Sequence, residues 1–108
     1  MKEINDILTK LIKFRDERNW KQFHTPENLA KSISIEANEL LENYQWGNEN
    51  ADINNIKEEV ADIFSYLLML CEELDIDLLG VTNKKISSNE KKYPVDKAYG
   101  KSDKYNKL

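Results

Sequence analysis

The sequence predicts an all-α fold, and three observations predict it. Apolar residues recur three and four apart rather than alternating, only 3 glycines and 2 prolines interrupt 108 residues, and no β-hairpin signal appears. Ile4, Ile7, Leu8, Leu11, Ile12 and Phe14 mark the apolar side of a first helix that runs out near Asn19. Trp20-Lys21-Gln22-Phe23-His24 follows as a loop. Thr25-Pro26-Glu27 then opens a second helix, with a hydroxyl to cap, a proline where its missing N–H costs nothing, and an acid in the first turn. Its core stripe is Leu29, Ile33, Ala37, Leu40 and Tyr44, and Gln45-Trp46-Gly47 should close it, since glycine takes the left-handed conformation readily.

The polar stretch from Asn48 to Asn55 reads as a loop. A third helix shows Ile56, Val60, Ile63, Phe64, Leu67, Cys71 and Leu74, and Leu68, Met69 and Leu70 widen its apolar surface beyond one stripe. That width marks a central helix packed on more than one side. Asp77 caps a fourth helix carrying Leu78, Val81, Thr82 and Ile86, which ends before Pro94. Four helices therefore form the expected bundle. Residues 93–108 turn polar, with Gly100 and lysines at 97, 101, 104 and 107, and read as a tail that is mobile alone and orders on a ligand or partner.

No internal repeat or second domain appears, so residues 1–108 are read as one domain. A bundle this small exposes apolar helix faces unless a second copy covers them, which predicts a homo-oligomer, a dimer or tetramer. The net charge of −4, with 20 acidic against 16 basic residues, argues against nucleic acid as the main partner. An acidic protein that takes a phosphate ligand needs a cation between the two. A single cysteine, Cys71, rules out an internal disulfide and reads as a buried thiol. With no apolar signal core and no membrane-length run, a soluble cytoplasmic protein without a membrane partner is expected.

Glu36 and Glu39 lie three apart on the second helix, and Glu59 and Asp62 three apart on the third. Residues at that spacing share a helix face, so each pair can aim at one point. Ser32, Glu36, Glu39 and Asn43 fall on one narrow stripe, with Glu36 at the edge of the apolar face. An acid there is costly unless it is paired or bound to metal. Glu59, Asp62, Tyr66 and Met69 share a stripe beside the core face of the third helix. Two antiparallel helices could present these stripes to each other. Magnesium takes oxygen ligands and is often shared between protein carboxylates and substrate phosphates. The plainer reading, solvated acidic faces in a chain that is 33% charged, stays open. A di-iron bundle would need histidines three residues after glutamates, and the one histidine, His24, lies in a loop.

Trp20, Phe23, His24 and Trp46 gather at the predicted ends of the acid-bearing helix, where aromatic faces could stack a flat heterocycle or simply pack a core or subunit seam. Lys85, Asn89 and Lys92 repeat at four and three on the fourth helix, a row able to neutralise phosphate oxygens or to sit in solvent.

Together these residues resemble the MazG-like all-α nucleoside triphosphate pyrophosphohydrolases, most closely the dCTP pyrophosphatase branch. The resemblance covers nearly the whole chain. It rests on Arg18-Asn19-Trp20-Lys21-Gln22-Phe23-His24-Thr25-Pro26 with Asn28-Leu29, Glu36-Ala37-Asn38-Glu39-Leu40, Gln45-Trp46, Glu58-Glu59-Val60-Ala61-Asp62, Tyr66-Leu67, Asn89 with Lys92-Tyr93-Pro94, and Lys104-Tyr105 before Leu108. It implies magnesium-dependent hydrolysis of a (d)NTP to a monophosphate and pyrophosphate, with dCTP or a related or modified deoxynucleotide as substrate. It further implies that Glu36, Glu39, Glu59 and Asp62 bind the metal, with Glu36 or Glu39 orienting water. Trp20, His24, Trp46 and Tyr66 would shape the base and sugar pocket, and Lys85, Asn89 and Lys92 would meet phosphates. Lys10, Leu11 and Lys13 on the first helix offer no evident base-specific set, so dUTP or phosphoribosyl-ATP stand as alternative substrates. A non-catalytic helical interaction protein is the reading from another class.

Overall fold

The computed structural model describes residues 2–108, all helix, turn and coil, with no strand among the described residues. It divides into two compact units, one ending at Ile76 and one spanning Asp77–Leu108. The first holds helices α1 (Lys2–Glu17), α2 (Pro26–Glu42) and α3 (Ile53–Glu73). The second holds α4 (Leu78–Lys92) and the short α5 (Val95–Ala98). Three of the four expected helices thus make the first unit, and the fourth belongs to the second.

Helices α1 and α3 end in the same way. Asn19 and Asp75 take left-handed φ values of 55° and 52°. Trp20 N–H bonds back to the Arg15 carbonyl at 3.0 Å and Ile76 N–H to the Cys71 carbonyl at 2.9 Å. Asn19 and Asp75 add bonds to Asp16 and Glu72. These are Schellman closures without glycine, carried by the two residue types whose short polar side chains tolerate that region best. The first of them sends the chain into the Trp20 loop, which makes a 3₁₀ turn at Lys21–Phe23.

The Thr25 cap forms as read: its hydroxyl accepts the Asn28 N–H at 3.2 Å, and Asn28 Nδ2 donates to the Phe23 carbonyl at 3.0 Å. The end of α2 differs from expectation. The helix stops at Glu42, about a turn before Gly47, and continues as 3₁₀-type bonds to Leu40, Leu41 and Glu42. Asn43 is the reason. Its Nδ2 donates to Asn55 Oδ1 at 2.9 Å and its Oδ1 accepts the Asp52 N–H at 3.3 Å, so the side chain competes with the helix and clamps the hairpin. Gly47, at φ 103°, still makes the turn that L residues avoid. The expected loop from Asn48 to Asn55 is shorter than read, because Asp52 caps α3 through the Asn54 N–H at 3.0 Å.

Helices α2 and α3 run antiparallel. Asn43 meets Asn55 at the turn, and Glu36 meets Glu59 and Asp62 farther along. Leu29, Leu68, Met69 and Cys71 form the buried core, Leu29 at 1% exposure. Ala37 and Tyr44, expected in the α2 core stripe, are exposed, as are Val60, Phe64 and Leu74 of α3. No helix is long and apolar enough to cross a membrane among the described residues.

In the second unit, Asp77 caps α4 by accepting the Gly80 N–H at 3.2 Å, and Gly80 leaves its carboxylate the room to do so. In the tail, Tyr105, in a 3₁₀ turn, packs edge-on to Tyr93 at 6.3 Å, and Lys92 Nζ lies 5.2 Å from its ring.

Candidate functional site

The hairpin of α2 and α3 brings acids together. One carboxylate oxygen from each of Glu36, Glu59 and Asp62 lies within 4.8 Å of the others. Glu59 is 7% exposed, Glu36 half-buried and Asp62 exposed, so the cluster grades from core to solvent. Glu36 Oε2 and Glu59 Oε2 are buried without a hydrogen-bond partner. Glu39, one turn along α2, is exposed but close enough to act on Glu36. The neighbouring Glu59 carboxylate, then burial, then Glu39, push the Glu36 carboxyl up to about 8. Like charges this close in a desolvated place cannot all ionise unless a cation joins them. Orphaned, oxygen-only ligands from two rigid helices fit a hard divalent ion, and the buried oxygens mark where it would lie.

Beside the acids is a cavity of about 460 Å³ between α1 and α3. Ile7, Lys10, Leu11, Phe14 and Arg15 line it from α1, a row spaced three, one, three and one. Asp62, Ser65, Tyr66 and Met69 line it from α3, and Trp20 and His24 from the connecting loop. Asp62 thus belongs both to the acid cluster and to the cavity wall. Trp20 is held by its Schellman bond and by Phe14, whose ring meets it edge-on at 5.6 Å and carries the Arg18 guanidinium 3.6 Å from its centroid. Burial and then the Arg15 charge hold the His24 imidazole below its usual 6.5, and its Nδ1 is buried without a partner. Burial, ahead of the nearby acids, raises the Tyr66 hydroxyl.

Of the residues singled out from sequence, Glu36, Glu59 and Asp62 come together, with Glu39 adjoining, and Trp20, His24 and Tyr66 share the cavity. Trp46 does not join them: it is 75% exposed and lines a separate cleft of about 230 Å³ with Glu39, Asn43 and Asn55. Phe23 is 59% exposed and outside the cavity lining. Lys85, Asn89 and Lys92 lie exposed along α4 in the second unit. Sequence reasoning missed Arg15, buried at 5%, and its partner Glu73; an arginine continuing the apolar row of α1 was the available signal.

Fold and cluster define an all-α protein with carboxylates from two helices able to take a metal ion. The MazG-like family matches residues 31–108. The dCTP pyrophosphatase 1 of Mus musculus is 31% identical over 114 residues, 97% of this chain and 67% of that protein. The protein of the same name from Bos taurus is 32% identical over 97% of this chain and 68% of its own length. A crystal structure of a pyrophosphatase from Archaeoglobus fulgidus superposes with a TM-score of 0.82 at 41% identity, covering 85% of this chain and 93% of that one. The chain belongs to the MazG-like family and is a nucleotide pyrophosphohydrolase.

Proposed function

We propose that the protein hydrolyses a deoxynucleoside triphosphate, dCTP or a close relative, to the monophosphate and pyrophosphate with magnesium as its metal. The observation that carries this is the meeting of Glu36, Glu59 and Asp62 within 4.8 Å, two of their oxygens buried and unpartnered, at the edge of an aromatic cavity. The names of the mouse and bovine relatives support the substrate class. Glu36, Glu59 and Asp62 would hold the ion, with Glu39 completing the set. When bound, the metal supplies charge neutralisation on the phosphates and a more acidic water.

The chain's own residues do the rest. Glu39, the exposed acid next to Glu36, orients the attacking water and takes its proton. Trp20 offers its face to the base, and His24 and Tyr66 close the cavity around base and sugar. Apolar walls from Ile7, Leu11 and Met69 exclude water from the base. Lys85, Asn89 and Lys92 form an exposed row on α4 of a chemistry suited to phosphate oxygens, and Trp46, exposed in its own cleft beside Glu39, stays outside the cavity assigned to base and sugar. The exposed Leu41, Val60 and Phe64 support a homo-oligomer in which a second copy covers them.

A nucleotide panel with product identification tests the reading. Pyrophosphate and monophosphate should appear in equal amounts with magnesium and vanish with chelator; orthophosphate as the product, or no product from any common deoxynucleotide, refutes it.

A further inference from the structure

Where α1 passes into the connecting loop the cavity wall is aromatic, and both rings there are partly open to solvent: Phe14 is 47% exposed and Trp20 42%. The Trp20 backbone is pinned, since its N–H bonds to the Arg15 carbonyl at 3.0 Å and Asn19 before it closes the helix at φ 55°. That bond leaves the ring free to turn. A side chain this exposed changes rotamer within picoseconds to nanoseconds unless a neighbour restrains it. Here the neighbour is Phe14, whose ring meets that of Trp20 at 5.6 Å and 75°.

Phe14 is restrained in turn by Arg18, four residues on. The Arg18 guanidinium lies 3.6 Å from the Phe14 ring centroid, and its Nη1 donates to the Phe14 carbonyl at 2.9 Å. The ring's quadrupole attracts the cation, and the hydrogen bond fixes where along the ring it sits. Among the described residues the ion pairs belong to Arg15 and Lys31, so Arg18 is held by Phe14 rather than by an acid. Arg18 itself is outside the cavity lining. An arginine that only finished the helix would need the carbonyl bond and the dipole, not a place over a ring of the cavity wall.

Resting on the nucleotide reading of the cavity, we infer that Arg18 is a positioning residue for the base: stacked on Phe14, it keeps the Trp20 ring at the angle that receives a flat heterocycle. Arg18 touches no part of the substrate. Its effect is to order the aromatic face before the nucleotide arrives, so that binding does not first have to immobilise the wall.

A double-mutant cycle tests the relay. KM and kcat for dCTP, with pyrophosphate detected, and dCMP binding by calorimetry are measured on the native chain, Arg18→Ala, Trp20→Ala and the double variant, with melting temperatures for all four. Arg18→Ala should raise KM and weaken dCMP binding by roughly 2- to 5-fold, the scale of an exposed cation–π contact, with kcat little changed. Once Trp20 is alanine, removing Arg18 should change neither quantity further. Phe14→Leu, which keeps apolar bulk and loses the ring, should make both equally insensitive to Arg18→Ala. An arginine that merely caps α1 would lower the melting temperature and shift KM by the same factor with and without Trp20. That outcome overturns the inference, as does an unchanged KM in folded Arg18→Ala. The two readings also separate: hydrolysis of dCTP with additive effects removes the relay and keeps the reaction. No pyrophosphate from the native chain, with dCMP affinity that depends on Arg18 only while Trp20 is present, removes the reaction and keeps the relay. Neither hydrolysis nor dCMP binding removes both.

Discussion

Glu36 on α2 and Glu59 on α3 each bury a carboxylate oxygen that meets no hydrogen-bond donor, and the two side chains, with Asp62, come within 4.8 Å. In a structural ion network such oxygens would face lysine or arginine. Here the described ion pairs are elsewhere, at Arg15 with Asp16 and Glu73 and at Lys31 with Glu27. Charge is being concentrated where it costs stability, which is the pattern of a site rather than of a scaffold.

Replacing either glutamate with glutamine therefore separates function from folding. Glu36→Gln and Glu59→Gln should each lower pyrophosphate release by at least ~100-fold, the scale of losing groups that hold a metal. Without metal and above about pH 8, their melting temperatures should equal or exceed that of the native chain, because a like-charge contact has gone. Calorimetric unfolding with chelator present checks the second half; a large drop in melting temperature would make these acids structural.

The same contact sets a pH dependence. Held up to about 8 in the folded chain against 4.5 ordinarily, the Glu36 carboxyl binds its proton more tightly folded than unfolded. Its contribution to stability is complete below the ordinary value and is lost as pH rises through about 8. His24 shifts the other way, since a depressed imidazole costs stability only as pH falls below 6.5. Between 6.5 and 8 the Glu36 effect stands without the His24 one, so the metal-free chain should lose stability as pH rises across that window. Magnesium should reverse the trend and release close to one proton on binding near pH 7, read from calorimetry in buffers of different ionisation enthalpy. Proton-neutral binding would remove the coupling.

Two helix starts were legible in the sequence because their caps are local: Thr25 and Asp77 each announce themselves within four residues, whereas the Asp52 cap of α3 lay in a stretch read as loop. The helix ends were less so. Asn43 ends α2 by bonding Asn55, twelve residues away, and no local pattern reveals that. Spacing revealed that Glu36 and Glu59 could converge, but it placed Glu36 at the apolar edge and left Glu59 beside the core, whereas Glu59 is the deeper of the two. Burial depends on the crossing of two helices, which one helix's periodicity does not contain. Arg15 stayed hidden for the same reason, since its partner Glu73 is fifty-eight residues on.

The core is small, so single positions count heavily. Leu29, 1% exposed, is the most buried side chain, directly after the Pro26 start of α2. Leu29→Ala should cost about 2–5 kcal/mol in denaturant unfolding, with the slope unchanged. A cost below ~1 kcal/mol would mean that the site collapses freely or is not a core position.

Phe64 tests the proposed assembly. It is 36% exposed on α3, one turn from Val60, which is 52% exposed. Light scattering should find the native chain as a dimer or tetramer and Phe64→Asp shifted toward monomer, because a buried unpaired carboxylate opposes association strongly. A native chain that is monomeric at working concentration removes the oligomer from the account.

Trp20 tests the cavity itself. Its ring lines the space, its N–H closes α1 through the Arg15 carbonyl, and Phe14 steadies it edge-on. The backbone bond survives any side-chain change, so Trp20→Ala leaves the loop its anchor and removes only the aromatic face. Stacking of one base is worth about 1–3 kcal/mol, so KM for the preferred deoxynucleotide should rise by roughly 5- to 150-fold while kcat changes far less. Trp20→Phe should recover most of the loss, since a smaller ring still presents a π face. Equal losses in kcat for both variants would place Trp20 in the packing of α1 rather than against a base.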